Sequence, residues 1–245
     1  MGATVGENVS LLTRFWAGVG GQVQSAFGMP KWVKLIIAVC LLPVCAGALR
    51  ALGRVLWECG GATLTVVPFL AGAICWWVVY VLLPKPMWLY VVGHEMTHAV
   101  WTWAMGGRVK RFRAGATGGH VVVTRTNFLV ALAPYFFPFY AALVVASFVV
   151  GHLIWGWSRL MPWFHLVVGA AYAFHVTLTW HALKTRQSDI TSQGYLFSAV
   201  IIFLGNVTVL LLGLPMMTEK VHLLDAVGWW GSATVEIVRR LVRMF

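Results

Sequence analysis

Acidic residues are scarce in this chain, which has 7 Asp and Glu against 18 Lys and Arg among its 245 residues. Charged residues of both signs make up only 10% of the sequence, whereas hydrophobic residues make up 60% and the mean hydropathy is +0.82. An average soluble domain carries about 25% charged residues, so this composition excludes an ordinary soluble domain. Apolar stretches of about twenty residues recur instead, and they predict an all-α polytopic membrane protein.

Cysteine is also rare, with only Cys40, Cys45, Cys59 and Cys75 present and no CxxC spacing among them. This pattern excludes a disulfide framework and a cysteine-based metal knuckle, so we expect these residues to act as small apolar packing groups. The excess of basic residues lies between the apolar stretches. It favours membrane lipids with anionic headgroups as partners, and no nucleic-acid partner is expected.

Six apolar segments are long enough to be predicted as transmembrane helices. They cover about residues 32–49, 62–83, 87–105, 128–150, 161–183 and 195–217. Pro134 and Pro138 lie within the fourth segment and predict a kinked or broken helix there. The basic residues of the short loops favour a cytoplasmic location for the side that contains residues 106–127.

Both ends of the chain are predicted to be amphipathic segments at the membrane surface. Residues 1–30 combine glycines with spaced apolar side chains, and residues 221–245 set apolar side chains against Arg239, Arg240 and Arg243. No basic segment at the start runs directly into an apolar core, so no cleaved signal peptide is expected. We therefore interpret residues 1–245 as a single membrane domain.

The link between the third and fourth segments, residues 107–126, differs from the other links. Val109, Arg111 and Arg113 alternate with Lys110 and Phe112, and a β-branched run at 121–124 follows Gly118-Gly119. This pattern predicts a small β-hairpin with its turn at the two glycines. Because a lone hairpin is only marginally stable in water, we expect it to pack on the helices or the membrane.

The third segment contains the sequence His94-Glu95-Met96-Thr97-His98. Residues four apart share one face of a helix, so His94 and His98 can bind one metal ion. Glu95 is close enough to take a proton from a water molecule at that ion. This HExxH pattern is typical of zinc hydrolases and predicts Zn²⁺ as the cofactor, with Glu95 as the catalytic general base. The alternative is a chance match, with the histidines hydrogen-bonded in the core and Glu95 paired with a neighbouring helix.

A catalytic zinc site needs a third protein ligand, and the sequence alone offers several candidates. His98 is predicted to lie about 12 Å into its segment and His175 about 13 Å into its own, so depth favours His175. His175 could instead form only a hydrogen bond between helices. Asp189 lies on the hairpin side of the membrane and would have to enter the membrane to reach the metal. Its alternative role is a helix N-cap. Further candidates are His181, His120 and, on the opposite side and least favoured, His152.

The membrane-embedded HExxH, the strand segment with two glycines and the proline-broken span together resemble the site-two protease family of intramembrane zinc metallopeptidases. The resemblance covers roughly residues 86–212, which we interpret as the metallopeptidase core. In that family a β-segment near the membrane surface holds the substrate as an added strand. The resemblance therefore implies substrate binding by residues 108–112 and by Gly118, Gly119, His120 and Val121.

The same resemblance implies Asp189 as the third metal ligand. The family's third ligand is an aspartate in a Leu-Asp-Gly motif that opens a later span, and Asp189 has the corresponding position in order and context. The chain departs from the family pattern at two places. It has Ser188-Asp189-Ile190 where the family has Leu-Asp-Gly, and Ala133-Pro134 where the family has Gly-Pro.

These features imply a zinc-dependent intramembrane endopeptidase that hydrolyses membrane protein or peptide substrates, expected in a bacterial inner membrane. A substrate helix must unwind before attack, and pairing with the hairpin would keep it extended. The first alternative is a non-catalytic structural subunit of a larger membrane complex that retains a metallopeptidase-like fold. A transporter or haem protein is the second, although no internal repeat supports a transporter. Glu95 favours hydrolysis, because a structural metal site does not need it.

Overall fold

The computed structural model describes residues 29–115, 118–218 and 220–244, which are mainly helical. The helices are α1 (Lys31–Cys59), α2 (Thr63–Leu82), α3 (Met87–Ala104), α4 (Phe128–Leu132), α5 (Phe139–Trp155), α6 (Met161–Leu183), α7 (Ser188–Gln193), α8 (Tyr195–Thr218) and α9 (Leu223–Val242). Strands β1 (Val109–Gly115) and β2 (Gly118–Val123) lie between α3 and α4, and 3₁₀ turns at Ala133–Tyr135 and Trp157–Leu160 precede α5 and α6. The predicted helical fold with one small hairpin is confirmed. Residues 1–28 of the amphipathic segment predicted at 1–30 lie outside the described residues.

Four helices in the described part of the chain are long and apolar enough to cross a membrane: α1, α2, α6 with its preceding turn, and α8. The pair Phe128–Tyr135 and Phe139–Trp155 is bent by 85° and adds a fifth span if it is counted as one. Helix α3 does not belong to this set, because His94, Glu95 and His98 interrupt its apolar sequence. The helices are thus compatible with a multi-pass membrane protein, but the predicted count of six spans is not confirmed.

Helices α2 and α6 cross at two glycines. A β carbon on Gly72 of α2 would overlap the carbonyl oxygen of Leu166, and one on Gly169 of α6 would overlap that of Phe69. Only glycine lets the two backbones approach this closely, which is how helices commonly associate in lipid. This contact holds α6, which carries His175, against α2.

Helices α1, α8 and α9 form a second group around a common apolar core. Its buried members include Ala48 and Val55 of α1, Leu211 of α8 and Ala226 of α9. Trp230 of α9 donates its indole N–H to the carbonyl of residue 44 at 3.0 Å, which fixes α9 on α1. The C-terminal segment is therefore an amphipathic helix, and its location at the membrane surface stays a prediction.

The break between α4 and α5 has clear local causes. The side chain of Asn127 accepts a hydrogen bond from Val130 N at 2.8 Å and so starts α4. Pro134 lies in the 3₁₀ turn and Pro138 immediately precedes α5, where each interrupts helical hydrogen bonding. Asn206 of α8 donates to the carbonyl of Tyr135 at 3.0 Å. The predicted broken helix is confirmed. The side chain of Asn206 supplies a hydrogen bond to a backbone carbonyl at the break.

The hairpin pairs β1 and β2 in antiparallel register and packs against α3. Arg113 lies opposite His120 and Ala114 opposite Gly119, with an irregularity between Val109 and Arg111. The hairpin at 107–126 is confirmed, but the prediction that Gly118 and Gly119 form its turn is wrong. Both glycines belong to β2, and the strands are joined through residues 116–117, which lie outside the described residues.

Candidate metal centre

Three side chains from two distant parts of the chain meet beside α3. The Nε2 atoms of His94 and His98 lie 3.5 and 3.6 Å from the same oxygen, Oδ2 of Asp189. One ligand atom from each residue lies within 4.8 Å of the others. Ligand atoms in a tetrahedral zinc site with bonds of about 2.0–2.1 Å are about 3.3 Å apart, so these separations fit a site that could hold one metal ion.

Asp189 reaches the histidines because α7 is a short helix that packs against α4. Gly194, with φ +93°, ends α7 and starts α8 in a new direction, a conformation that side-chain-bearing residues rarely adopt. Lys34 of α1 donates to the Gln193 side chain at 2.7 Å and fixes the end of α7. Asp189 lies in the first turn of α7, where Gln187 occupies the N-cap position, so the alternative N-cap role is wrong.

A buried tyrosine orients the carboxylate. The Tyr135 hydroxyl donates to Asp189 Oδ2 at 3.1 Å, and only 1% of Tyr135 is exposed. Sequence reasoning missed this residue, because 54 residues separate it from Asp189 and nothing in the local pattern around Pro134 indicates the contact.

The charge of Asp189 also suits a metal ligand. Burial by itself raises the pKa of this carboxyl group, but the adjacent imidazoles of His94 and His98 outweigh burial and hold the pKa of Asp189 below its usual range. The carboxylate is therefore ionised at neutral pH, as a metal ligand must be.

The backbone fixes the tautomer of His98. Its Nδ1 lies 2.8 Å from the carbonyl oxygen of Val130, and since a carbonyl can only accept, Nδ1 carries the proton. The lone pair of Nε2 is then free for a metal ion, and the ring is held in place by its outer partner. Because Asn127 starts the helix that presents Val130, the cap of α4 contributes to the geometry of the site.

Glu95 lies on the same helix and is 7% exposed. It forms no hydrogen bond or ion pair with any residue in the described ranges. The backbone of Gly119 lies directly against it, since a β carbon there would be 2.7 Å from Glu95 Cγ and 2.9 Å from its Oε1. Gly119 is one of the residues for which the resemblance implies substrate binding, and its lack of a side chain is what permits the contact.

The remaining predicted residues are not drawn into the cluster. Gly118 and His120 are exposed and Val121 is half-buried on the hairpin. His181 is half-buried and His152 is exposed. Neither of them, nor His120 or His175, joins the group formed by His94, His98 and Asp189 within the described ranges. His175 does lie near the depth predicted for it, because it lines the same small cavity as His94.

Comparisons of the chain with family models, with curated proteins and with solved structures returned no match.

Proposed function

We propose that the protein is an intramembrane zinc metalloprotease that hydrolyses peptide bonds of membrane-associated substrates. The observation that carries the proposal is the meeting of Asp189 with both HExxH histidines at ligand spacing. Asp189 is 91 residues from His98 in sequence, so a chance HExxH gives no reason for a carboxylate at this position. Two imidazoles and a carboxylate are also a ligand set of hydrolytic zinc sites.

The chemistry follows from the roles of the chain's own residues. A zinc ion bound there would polarise the scissile carbonyl and make a water molecule more acidic. Glu95 takes a proton from the water as the water oxygen forms a bond to the carbonyl carbon. The C–N bond then breaks, and Glu95 delivers the proton to the leaving amine. The absence of a hydrogen bond from other described residues leaves the Glu95 carboxylate free for this exchange.

The hairpin is proposed to hold the substrate in extended form. Gly119 lies against Glu95, so a strand added to this hairpin would run past the carboxylate. Hydrolysis requires an unwound peptide, because a helix buries its own peptide bonds. A location in the bacterial inner membrane belongs to the same proposal and stays a prediction from the sequence.

Metal content tests the site. The purified wild-type protein should carry about one zinc ion per chain, and the His94→Ala, His98→Ala double variant should carry none. Asp189→Ala should weaken zinc binding strongly. Unchanged metal content in the double variant would refute the site.

Activity separates the protease from a structural subunit that keeps a bound ion. In liposomes with a panel of single-span reporter proteins, the wild type should cleave at least one reporter. Glu95→Gln should retain zinc and lose at least about a hundredfold in rate, because it removes the general base and not a ligand. Zinc binding without any cleavage by the wild type would favour the structural subunit.

A further inference from the structure

A small cavity lies beside His94, and Asp189 and His98 do not line it. Its lining includes Tyr90, Gly93 and His175. The volume is about 20 Å³, which is enough for one water molecule and too little for a substrate side chain. The cavity is therefore suited to a bound water and not to a specificity pocket.

Three polar atoms of residues that line this cavity are buried without a hydrogen-bond partner in the described structure. They are Nδ1 of His94, Nε2 of His175 and the hydroxyl of Tyr90. Buried polar groups are almost always satisfied by protein or by ordered water. A buried water usually makes two to four hydrogen bonds, so the unpaired nitrogens of His94 and His175, two residues that line a water-sized space, match its needs.

The two histidines of the HExxH motif differ in their outer contacts. His98 donates from Nδ1 to the carbonyl of Val130 at 2.8 Å. His94 has no such acceptor in the described ranges, although its Nε2 faces Asp189 in the same way. Metal-binding histidines nearly always have a partner at the second ring nitrogen, and losing that partner weakens metal binding by about 10- to 100-fold.

We propose that His175 is a positioning residue that orients His94 through one water molecule in this cavity. His94 donates from Nδ1 to the water oxygen, and the water donates to Nε2 of His175. This inference rests on the proposed function only in so far as His94 binds zinc, and it gives His175 a role distinct from that of a ligand.

The test measures zinc affinity by chelator competition in His175→Phe, His175→Gln and His165→Phe. His165 is the matched control: it lies on the same helix, it is 4% exposed and its Nδ1 is also buried and unpaired, but it does not line the cavity. We expect about 10- to 100-fold weaker zinc binding in His175→Phe and no comparable loss in His165→Phe. His175→Gln keeps an acceptor and should restore affinity to within a few-fold of wild type.

The visible absorption of Co²⁺-loaded protein provides a readout that packing alone does not change. A positioning role predicts tetrahedral Co²⁺ bands of nearly normal intensity in His175→Phe, with weaker binding. Equal affinities in His175→Phe and wild type, equal losses in His175→Phe and His165→Phe, or no rescue by His175→Gln would overturn the inference. So would loss of a tetrahedral band, which would make His175 a ligand. A wild type that binds no zinc would overturn the proposed function and this inference together.

Discussion

Replacing Gly119 by alanine should weaken hydrolysis while zinc stays bound. The added β carbon would lie 2.7 Å from Glu95 Cγ, 2.9 Å from Glu95 Oε1 and 2.8 Å from the carbonyl oxygen of Arg113. Two of these atoms belong to the proposed general base and the third to the paired strand. The methyl group therefore cannot be accommodated by a rotation of one flexible side chain.

The size of the effect follows from these distances. Carbon contacts are comfortable at about 3.5 Å or more, so Glu95 and β2 must separate by at least about half an ångström. A displacement near 1 Å at a reacting group can reduce the rate about a hundredfold. We expect a 10- to 100-fold loss of cleavage rate and a destabilisation of about 1–3 kcal/mol from overpacking. None of the three atoms nearest to the new methyl group belongs to His94, His98 or Asp189, so zinc affinity should be nearly unchanged.

The assay compares Gly119→Ala with Gly115→Ala on a reporter that the wild type cleaves. Gly115 is the matched control in the same hairpin, because among the described residues a β carbon there meets only the Gly118 carbonyl oxygen, at an ordinary 3.6 Å. Zinc content and thermal unfolding are measured on both variants. Equal cleavage rates in the two variants would refute the reasoning that the contact between the hairpin and Glu95 matters. Loss of zinc from Gly119→Ala would show that the hairpin acts on the ligands instead.

Three further predictions concern the ligands and the helix packing. Tyr135→Phe keeps the buried ring but removes the hydrogen bond to Asp189, so zinc affinity should fall about 10- to 100-fold in chelator competition, and unchanged affinity would contradict an orienting role. Gly169→Ala should lower the thermal unfolding temperature, because a β carbon overlaps the Phe69 carbonyl, at a cost of about 1–3 kcal/mol. Gly213→Ala, which has open space around it on α8, should be neutral or slightly stabilising; equal effects of the two changes would argue against close packing of α2 and α6. Zinc affinity should fall as the pH is lowered, because protons compete with zinc for the imidazole nitrogens. Asp189, with its lowered pKa, is the ligand that stays ionised to the lowest pH. A pH titration by chelator competition in which zinc affinity rises with acidity would contradict this ligand set.

The sequence by itself determined the features that depend on neighbouring residues. The i, i+4 spacing placed His94 and His98 on one face of a helix, and the alternating and β-branched residues at 109–124 determined a hairpin. Pro134 and Pro138 determined the break between α4 and α5. These features follow from backbone geometry within a few residues, which is why the pattern was sufficient. The same local pattern predicts a turn at Gly118 and Gly119, which is wrong because both glycines lie in β2.

Only the tertiary structure decided which residue lies beside His94 and His98. Depth along separate helices made His175 and Asp189 rivals for the third position, since depth says nothing about which face of α6 or which turn of α7 approaches α3. The chain reversal at Gly194 and the contact of Lys34 with Gln193 bring Asp189 to Nε2 of both histidines. His175 reaches instead the cavity at the other nitrogen of His94. Contacts of this kind join residues 50 to 160 positions apart, and they are fixed by the packing of whole helices, which no local sequence pattern encodes.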